Sequence, residues 1–216
     1  MTGTPRLEKY ILDHISEEED FLTELDRETS LNILRARMLS GHLQGKILSM
    51  LSLMISPKNI LEIGTFTGYS AICLTRGLKP GGCLHTFEVN DELEPIANKY
   101  FKKAGLDNVI IHHIGDALQL VPALDMTFDL VFIDGDKCEY PAYYKMIFEK
   151  VPVGGYIIAD NTLWNGKVLE ELQPNDDQTK GILIFNEMIK NDHRVEKVIL
   201  PVRDGITIIR KISEHA

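Results

Sequence analysis

Cysteine is scarce in this sequence, and no cysteine lies in a recognisable motif. Cys73, Cys83 and Cys138 are the only three in 216 residues, and they form neither a CxxC pair nor the spacing of a metal site. An odd number argues against a disulfide framework, and a chain of this length buries about 70 % of its unfolded surface without covalent cross-links. We therefore expect free thiols in a reducing compartment, which predicts a cytoplasmic protein.

Long apolar runs and runs of basic residues are also missing. Residues 1–10 contain no apolar signal-peptide core, and the other apolar stretches are only strand-sized, so the sequence predicts no membrane span. Acidic residues outnumber basic ones, 32 against 23, which gives a formal net charge of −9. A general binder of nucleic acids or anionic membranes needs a basic patch. We expect neither of them as a partner.

The first part of the chain has the apolar spacing of amphipathic helices. Helical periodicity predicts helices over 6–14, 17–37 and 42–55, and Pro57 follows where the last one should stop. The amphipathic character of these helices predicts a homodimer.

From Asn59 onward, strand-like and helix-like segments alternate. The strands are strongly apolar, which is typical of a parallel sheet covered by helices on both faces. Only residues 201–205 link the last two strands, too few for a parallel crossover, so this pair should be antiparallel. The predicted strands are 59–64, 83–89, 109–114, 129–133, 156–159, 195–200 and 206–211, and the predicted helices are 69–77, 92–104, 141–150 and 181–191.

These segments predict a single α/β domain over residues 1–216. Residues 1–56 would be a helical N-terminal extension and residues 57–216 the cofactor-binding and catalytic core. Helices are expected on both faces of a seven-stranded, mostly parallel sheet with one antiparallel strand.

The turn after the first predicted strand has the composition of a ligand-binding loop. Gly64 and Gly68 form a G-x-x-x-G pattern with Glu62 two residues before it, in place of the G-x-G-x-x-G that holds a pyrophosphate. Glu88 ends the second strand, where an acid can accept hydrogen bonds from a ribose diol, and Asp116 lies where a polar turn could border an adenine. An adenosine ligand without phosphates and with a cationic part fits these features, and S-adenosylmethionine is such a ligand. Alternatively, the turn is merely structural.

Polar side chains also follow the fourth and fifth strands. Asp134, Asp160 and Asn161 would supply hard oxygen ligands with room for water and substrate, which suits Mg²⁺, Mn²⁺ or Ca²⁺ better than zinc. Asp and Asn are also common turn residues at strand ends, so spacing alone leaves both interpretations open.

Four segments together resemble one family, the cation-dependent O-methyltransferases. They are LEIGTFTGYS (61–70), FIDGDK (132–137), DNTLWNG (160–166) and DGIT (204–207). The family includes the caffeoyl-CoA O-methyltransferases and, more distantly, catechol O-methyltransferase, and the resemblance covers about residues 35–211. It implies a Rossmann-like class I methyltransferase fold.

The resemblance assigns expected roles to individual positions. Asp134, Asp160 and Asn161 match the metal ligands, with Mg²⁺ expected first, and Lys137 matches the lysine proposed as general base, so that Lys137 and Asp134 are the expected catalytic pair. The expected contacts with S-adenosylmethionine are Ser40, Glu62, Gly64, Thr65, Gly68, Tyr69, Ser70, Glu88, Asp116, Ala117, Asp134 and Asp136. Asp116 and Gly135 depart from the plant members, and residues 167–180 are particular to this chain, so the acceptor is not specified.

The expected reaction moves a methyl group to a hydroxyl of a catechol-type small molecule. A free phenol has a pKa of about 10 and is mostly protonated at neutral pH, whereas a divalent ion that binds two adjacent hydroxyls lowers this pKa. We expect the dication also to lower the pKa of Lys137, so that its amine can take the proton. An NAD-dependent oxidoreductase and a non-catalytic nucleoside-binding protein are the alternatives. The missing G-x-G-x-x-G counts against the first, and the set of Asp134, Lys137, Asp160 and Asn161 counts against the second.

Overall fold

The computed structural model of this protein describes residues 5–215. The two predicted domain ends, residues 1 and 216, therefore lie outside the described residues. The described helices are α1 (Pro5–Leu12), α2 (Asp20–Asn32), α3 (Gly41–Ile55), α4 (Tyr69–Leu74), α5 (Glu94–Lys103), α6 (Ala117–Leu120), α7 (Tyr140–Phe148) and α8 (Asp177–Asn191). The described strands are β1 (Asn59–Ile63), β2 (Cys83–Glu88), β3 (Ile110–Ile114), β4 (Leu130–Ile133), β5 (Tyr156–Ala159), β6 (Val195–Leu200) and β7 (Ile206–Lys211).

The chain divides into two compact units, one up to Ala117 and one from Leu118 onward. In the first unit, β1, β2 and β3 pair in parallel, with Ile60 beside Leu84 and Leu84 beside Ile110. Consecutive residues of β1 and β2 are buried, so both faces of these strands are covered, as their apolar composition predicts.

Within the first unit, the N-terminal helix α2 packs against α5 and the turn after β1. Glu28 on α2 accepts hydrogen bonds from Lys99 and Tyr100 on α5, at 2.5 and 2.7 Å. Thr29 on α2 donates to Thr67 in the turn after β1, at 3.1 Å, and both threonines are fully buried. Polar contacts in this interface therefore fix the position of α2, in addition to the packing of its apolar face.

In the second unit, β4 and β5 pair in parallel, and β7 runs antiparallel to β5 and β6. The antiparallel arrangement of the last two strands confirms the prediction from their short link. All seven strands form one sheet in the order β3-β2-β1-β4-β5-β7-β6. The predicted fold class is confirmed, with β7 as the one antiparallel strand. The division into a single domain of residues 1–216 stays a prediction.

Several element boundaries differ from those predicted. Helix α2 ends at Asn32 instead of Arg37, and Leu31 and Leu34 are 72 % and 90 % exposed, so they do not belong to a buried stripe. Helix α8 begins at Asp177, four residues before Gly181, because the side chain of Asp176 caps it by accepting from the backbone N of Thr179 at 3.1 Å. No helix among residues 5–215 is long and apolar enough to cross a membrane.

Candidate functional site

The turn that follows β1 is held by backbone hydrogen bonds to the end of β2. The backbone N atoms of Gly64 and Thr65 both donate to the carbonyl O of Phe87, at 3.0 and 3.1 Å. Gly68 has φ +91°, and a Cβ at this position would lie 2.5 Å from the ring of Phe101. The second glycine of the G-x-x-x-G pattern is thus required by its backbone conformation and by this close approach.

Glu88 lies beside this turn with its carboxylate already oriented. One carboxylate oxygen accepts from the backbone N of Phe66 at 2.8 Å, and the other accepts from the backbone N of Asn90 at 2.9 Å. Because both oxygens retain further acceptor capacity, this carboxylate can receive two more hydrogen bonds, as the hydroxyls of a diol would donate.

Glu62 is a fully buried acid at the end of β1. Its Oε2 accepts from the hydroxyl of Thr86 at 2.5 Å, and that hydroxyl is in turn 2.6 Å from the hydroxyl of Thr65. A buried carboxylate needs such charge-assisted hydrogen bonds to be retained in the fold. The predicted residues Glu62, Gly64, Thr65, Gly68 and Glu88 are therefore brought together by one hydrogen-bonded turn.

The other predicted cofactor residues of the first unit are Ser40, Tyr69, Ser70, Asp116 and Ala117. Ser40, Ser70 and Ala117 are buried. The Tyr69 hydroxyl donates to Glu18, while its ring packs against Gly45, where an added Cβ would lie 2.6 Å from it. The hydroxyl of Tyr69 is thus directed at the N-terminal segment.

The oxygen ligands predicted for a metal ion lie at two paired strand ends of the second unit. Asp134 follows Ile133, the last residue of β4, and Asp160 follows Ala159, the last residue of β5, and Ile133 is in register with Ala159. The backbone N of Asp160 donates to the carbonyl O of Ile133 at 3.0 Å. The pairing therefore places Asp134 and Asp160 side by side at the carboxyl end of the sheet.

Lys137 joins Asp134, Asp160 and Asn161 in what we call the acidic cluster. Its ammonium Nζ donates to Asp134 Oδ1 at 2.8 Å and to the carbonyl O of Gly135 at 3.1 Å. Burial lowers the pKa of Lys137, but the charge of Asp134 and the neighbouring Tyr140 outweigh it, so this pKa lies above its ordinary value. In the protein alone Lys137 is therefore held as a cation, and the expected lowering of its pKa depends on a dication beside it.

Asp136 lies between Asp134 and Lys137 in the chain, and neighbouring hydrogen-bond donors orient its carboxylate. Its Oδ1 accepts from the backbone N of Cys138 at 2.9 Å and from the side-chain amide of Gln178 at 2.8 Å. Burial raises the pKa of Asp136, but these hydrogen bonds outweigh it and leave the pKa below its usual value. Asp136 is thus ionised at neutral pH.

The turn that carries Asp160 and Asn161 is supported by the link between β6 and β7. The backbone N of Thr162 donates to the carbonyl O of Gly205 at 3.1 Å, and the hydroxyl of Thr207 donates to that of Thr162 at 2.7 Å. Gly205 has φ +91°, and a Cβ there would lie 2.5 Å from Leu163. The DGIT segment therefore acts as a scaffold for the turn that carries Asp160 and Asn161.

The backbone at this turn is strained. Asn161 (φ 56°), Trp164 (φ 45°) and Asn165 (φ 52°) all adopt left-handed conformations, which non-glycine residues seldom do. Such residues cost about 1–3 kcal/mol each and cluster at functional sites. Asparagine tolerates this conformation better than most residues, so an asparagine suits position 161 conformationally as well as chemically.

Helix α8 contacts both halves of the cluster, a feature that the sequence alone did not reveal. Gln178 accepts from the backbone N of Lys137 at 3.2 Å, and Asn186 donates from its side-chain amide to the carbonyl O of Thr162 at 2.8 Å. Gly181 lies so close that a Cβ would be 2.2 Å from the carbonyl O of Lys137. In the sequence, Gly181 only marks the start of the predicted helix 181–191 and gives no sign of this contact.

The donor chemistry of this cluster fits a hard divalent cation. Asp160 is 4 % exposed and accepts from the backbone N of Asn161 at 2.8 Å, and the charge of Asp134 is compensated by a cation, Lys137. Within residues 5–215, no group of three or more His, Cys, Asp or Glu side chains could hold a metal ion. Two carboxylates and the amide oxygen of Asn161 would thus have to be completed by water and substrate oxygens, as Mg²⁺ commonly is.

Comparisons with known proteins agree with this architecture. The protein is similar to an O-methyltransferase from Streptomyces achromogenes involved in tomaymycin synthesis, solved in complex with S-adenosylmethionine (TM-score 0.89, 28 % identity, 96 % of each chain). It is also similar to an O-methyltransferase from Bacillus cereus, solved in complex with S-adenosylhomocysteine (TM-score 0.88, 31 % identity, 95 % of this chain and 97 % of that one). The fold is therefore that of the S-adenosylmethionine-dependent methyltransferases.

The sequence comparisons narrow this class to a family. A family model described as O-methyltransferase matches residues 12–212. Caffeoyl-CoA O-methyltransferase 1 from Eucalyptus globulus is 37 % identical over 183 residues, which cover 79 % of this chain and 73 % of that protein. The chain belongs to this O-methyltransferase family, and the predicted resemblance is confirmed. Membership favours the methyltransferase over both the NAD-dependent oxidoreductase and the nucleoside-binding protein.

Proposed function

We propose that this protein transfers a methyl group from S-adenosylmethionine to one hydroxyl of a vicinal dihydroxy aromatic that is chelated by a divalent metal ion. The observation that carries the proposal is the cluster at the ends of β4 and β5, where Asp134 and Asp160 follow paired strand ends, Asn161 comes next, and the ammonium of Lys137 contacts Asp134.

S-adenosylmethionine as the methyl donor is supported by the first unit. The acid of Glu88 suits the ribose diol, and the turn at Gly64–Gly68 offers a close backbone approach without a phosphate-binding glycine pattern. The related structures solved with S-adenosylmethionine and S-adenosylhomocysteine support the same donor.

The transfer is a displacement at the methyl carbon. An O–C bond forms while the C–S bond breaks, the sulfonium leaves as a neutral thioether, and the hydroxyl proton must be removed. A bound divalent ion would supply Lewis acidity that lowers the pKa of a coordinated hydroxyl, and Mg²⁺ is the first candidate for a set of oxygen ligands. Asp134, Asp160 and Asn161 would hold this ion and fix the acceptor in line with the methyl group.

Lys137 is the candidate general base provided that a bound dication lowers its pKa, which Asp134 and Tyr140 otherwise hold above its ordinary value. Its side chain is 10 % exposed, so bulk water has little access to this nitrogen. The neighbouring carboxylate also fixes the direction in which a proton would leave the acceptor.

The test combines metal removal with a ligand substitution. With S-adenosylmethionine, Mg²⁺ and a caffeic-type catechol, we expect a product heavier by one methyl group by mass spectrometry, and no turnover after chelation. Asp160→Ala should abolish turnover while leaving the S-adenosylmethionine dissociation constant within about twofold, because a metal ligand acts on the chemistry and not on donor binding.

Asp125→Ala is the matched control, since Asp125 is an exposed aspartate of the same unit. This variant should retain full activity. Turnover that survives chelation would exclude the metal-dependent mechanism, and loss of donor binding in Asp160→Ala would mean that Asp160 serves the donor instead.

Two further expectations stay predictions. Homodimer formation is supported by exposed apolar side chains on α1 and α3, among them Tyr10 (59 %), Met50 (58 %) and Met54 (77 %). A cytoplasmic location is supported by the free thiols of Cys73, Cys83 and Cys138.

A further inference from the structure

Tyr140 is a fully buried tyrosine placed between the two strand ends that carry the acidic cluster. It is the first residue of α7, and none of its surface is exposed. Its hydroxyl lies 3.1 Å from the carbonyl O of Ile133 and 3.1 Å from the carbonyl O of Asp160. These carbonyls belong to the residue before Asp134 and to Asp160 itself.

The hydroxyl reinforces an existing link between the strand ends. The carbonyl O of Ile133 already accepts from the backbone N of Asp160 at 3.0 Å. A single hydroxyl proton shared between the two carbonyls draws the ends of β4 and β5 together from the buried side. Beyond these strand ends the chain turns away, so side-chain contacts must replace the regular ladder of the sheet.

The ring of Tyr140 contacts the remaining member of the cluster. The Lys137 ammonium lies 5.0 Å from the ring centroid, within the range of a cation–π interaction. The ring also meets Phe185 of α8 edge-on, with centroids 5.3 Å apart and planes at 80°. Aromatic packing thus fixes the ring beneath Lys137.

We infer that Tyr140 is a positioning residue. Its hydroxyl sets the spacing of Asp134 and Asp160 for metal binding, and its ring sets the direction of the Lys137 ammonium. Because it is completely buried, Tyr140 acts through these neighbours and does not contact the substrate. The inference rests on the proposed metal-dependent function.

The experiment separates the hydroxyl from the ring. Tyr140→Phe keeps the ring and removes both the tie between the strand ends and the hydroxyl's interaction with the Lys137 ammonium, so the Mn²⁺ dissociation constant, measured by electron paramagnetic resonance of free Mn²⁺, should rise about tenfold. The KM for Mn²⁺ should rise in parallel, while kcat at saturating Mn²⁺ falls less than in Tyr140→Leu, because the ring still contacts Lys137. Tyr140→Leu also removes the ring, so its kcat should fall about tenfold further, because Lys137 loses its cation–π partner.

Tyr144→Phe is the matched control. Tyr144 lies one turn later on α7, is 2 % exposed, and donates its hydroxyl to Asp192 at 3.0 Å. Both phenylalanine variants lose one buried hydroxyl, but only Tyr140→Phe should weaken Mn²⁺ binding. If Tyr140→Leu fails to fold, the comparison of the two phenylalanine variants still decides the inference.

The outcomes distinguish this inference from the proposed function. Wild-type affinity for Mn²⁺ in Tyr140→Phe, or equal weakening in Tyr144→Phe, would overturn the positioning role while leaving metal-dependent transfer intact. A wild-type protein that binds no Mn²⁺ and turns over in the presence of a chelator would overturn both.

Discussion

At the scale of single residues, glycine positions near the cluster are determined by what lies opposite them. Gly181 has no side chain because the carbonyl O of Lys137 would be 2.2 Å from its Cβ, and the Cα of Cys138 would be 2.7 Å away. Both atoms belong to the backbone of the turn that carries Lys137, so neither can move aside as a flexible side chain would.

We predict that Gly181→Ala destabilises the protein by about 1–3 kcal/mol through overpacking. Glycine to alanine inside a helix would otherwise stabilise by about 1 kcal/mol, so the sign of the effect distinguishes close packing from helix propensity. Urea denaturation measures it, with Lys180→Ala at the exposed neighbouring position as control. A stabilised Gly181→Ala would show that α8 can move away from Lys137 freely.

The chemically informative residues were largely predictable at this scale. Asp134, Asp160 and Asn161 could be singled out because each follows an apolar strand within a segment that resembles one family, and their role as metal ligands stays a prediction. The supporting residues Tyr140, Gln178 and Asn186 could not, because a tyrosine, glutamine or asparagine on a helix has many possible partners.

At the scale of secondary-structure elements, a buried lysine joins β7 to the end of α7. Lys211 is 1 % exposed, and its ammonium donates to the carbonyl O atoms of Phe148 and Val151 at 3.0 and 2.9 Å. It also lies 4.3 Å from the centroid of the Phe148 ring and pairs with Glu214. The cation thus donates to carbonyls at and just beyond the C-terminal end of the helix, where a positive charge is favourable.

We predict that Lys211→Ala lowers the free energy of unfolding by about 3 kcal/mol, because two backbone carbonyls lose a buried charged donor. The control is Lys190→Ala, which removes an exposed ion pair with Glu187 and should cost less than about 1 kcal/mol. Equal effects in urea denaturation would contradict a capping role for Lys211.

Strands and the final hairpin were predicted more accurately than helix ends. Apolar β strands and a five-residue link leave few alternatives, whereas α2 extends only to Asn32 although Leu31 and Leu34 continue its apolar spacing. The backbone changes direction after Asn32, with Ile33 extended and Arg35 left-handed. Helical spacing does not encode this change of direction.

At the scale of the whole molecule, stability should depend on pH through three histidines of β2 and β3. Burial lowers the pKa values of His85, His112 and His113, and the proximity of His113 lowers that of His85 further, with their ring nitrogens 3.0 Å apart. The unfolded chain therefore binds protons before the folded one as the pH falls below about 6.5. Their contribution to stability is complete above that pH and is lost on acidification.

We predict that the free energy of unfolding falls as the pH is lowered from about 7.5 to about 5.5. In His113→Asn, the free energy of unfolding should fall less steeply over the same range. Carboxylates act at lower pH, since hydrogen bonds lower the pKa values of Asp176 and Asp192 to about 2. Urea denaturation at the two pH values measures the slope, with exposed His193→Asn as control. An unchanged slope in His113→Asn would contradict this prediction.

The sequence by itself determined the α/β class, the antiparallel end of the sheet, the acids at the strand ends and the family. These features depend on local periodicity and on the short distances along the chain between a strand and the turn that follows it. Only the tertiary structure decided how Tyr140 spans Ile133 and Asp160, how α8 holds the Lys137 turn, and why Gly181 and Gly205 carry no side chain. The reason is physical, because such contacts join residues far apart in the chain and arise only when packed elements bring their backbones within a few ångströms of each other.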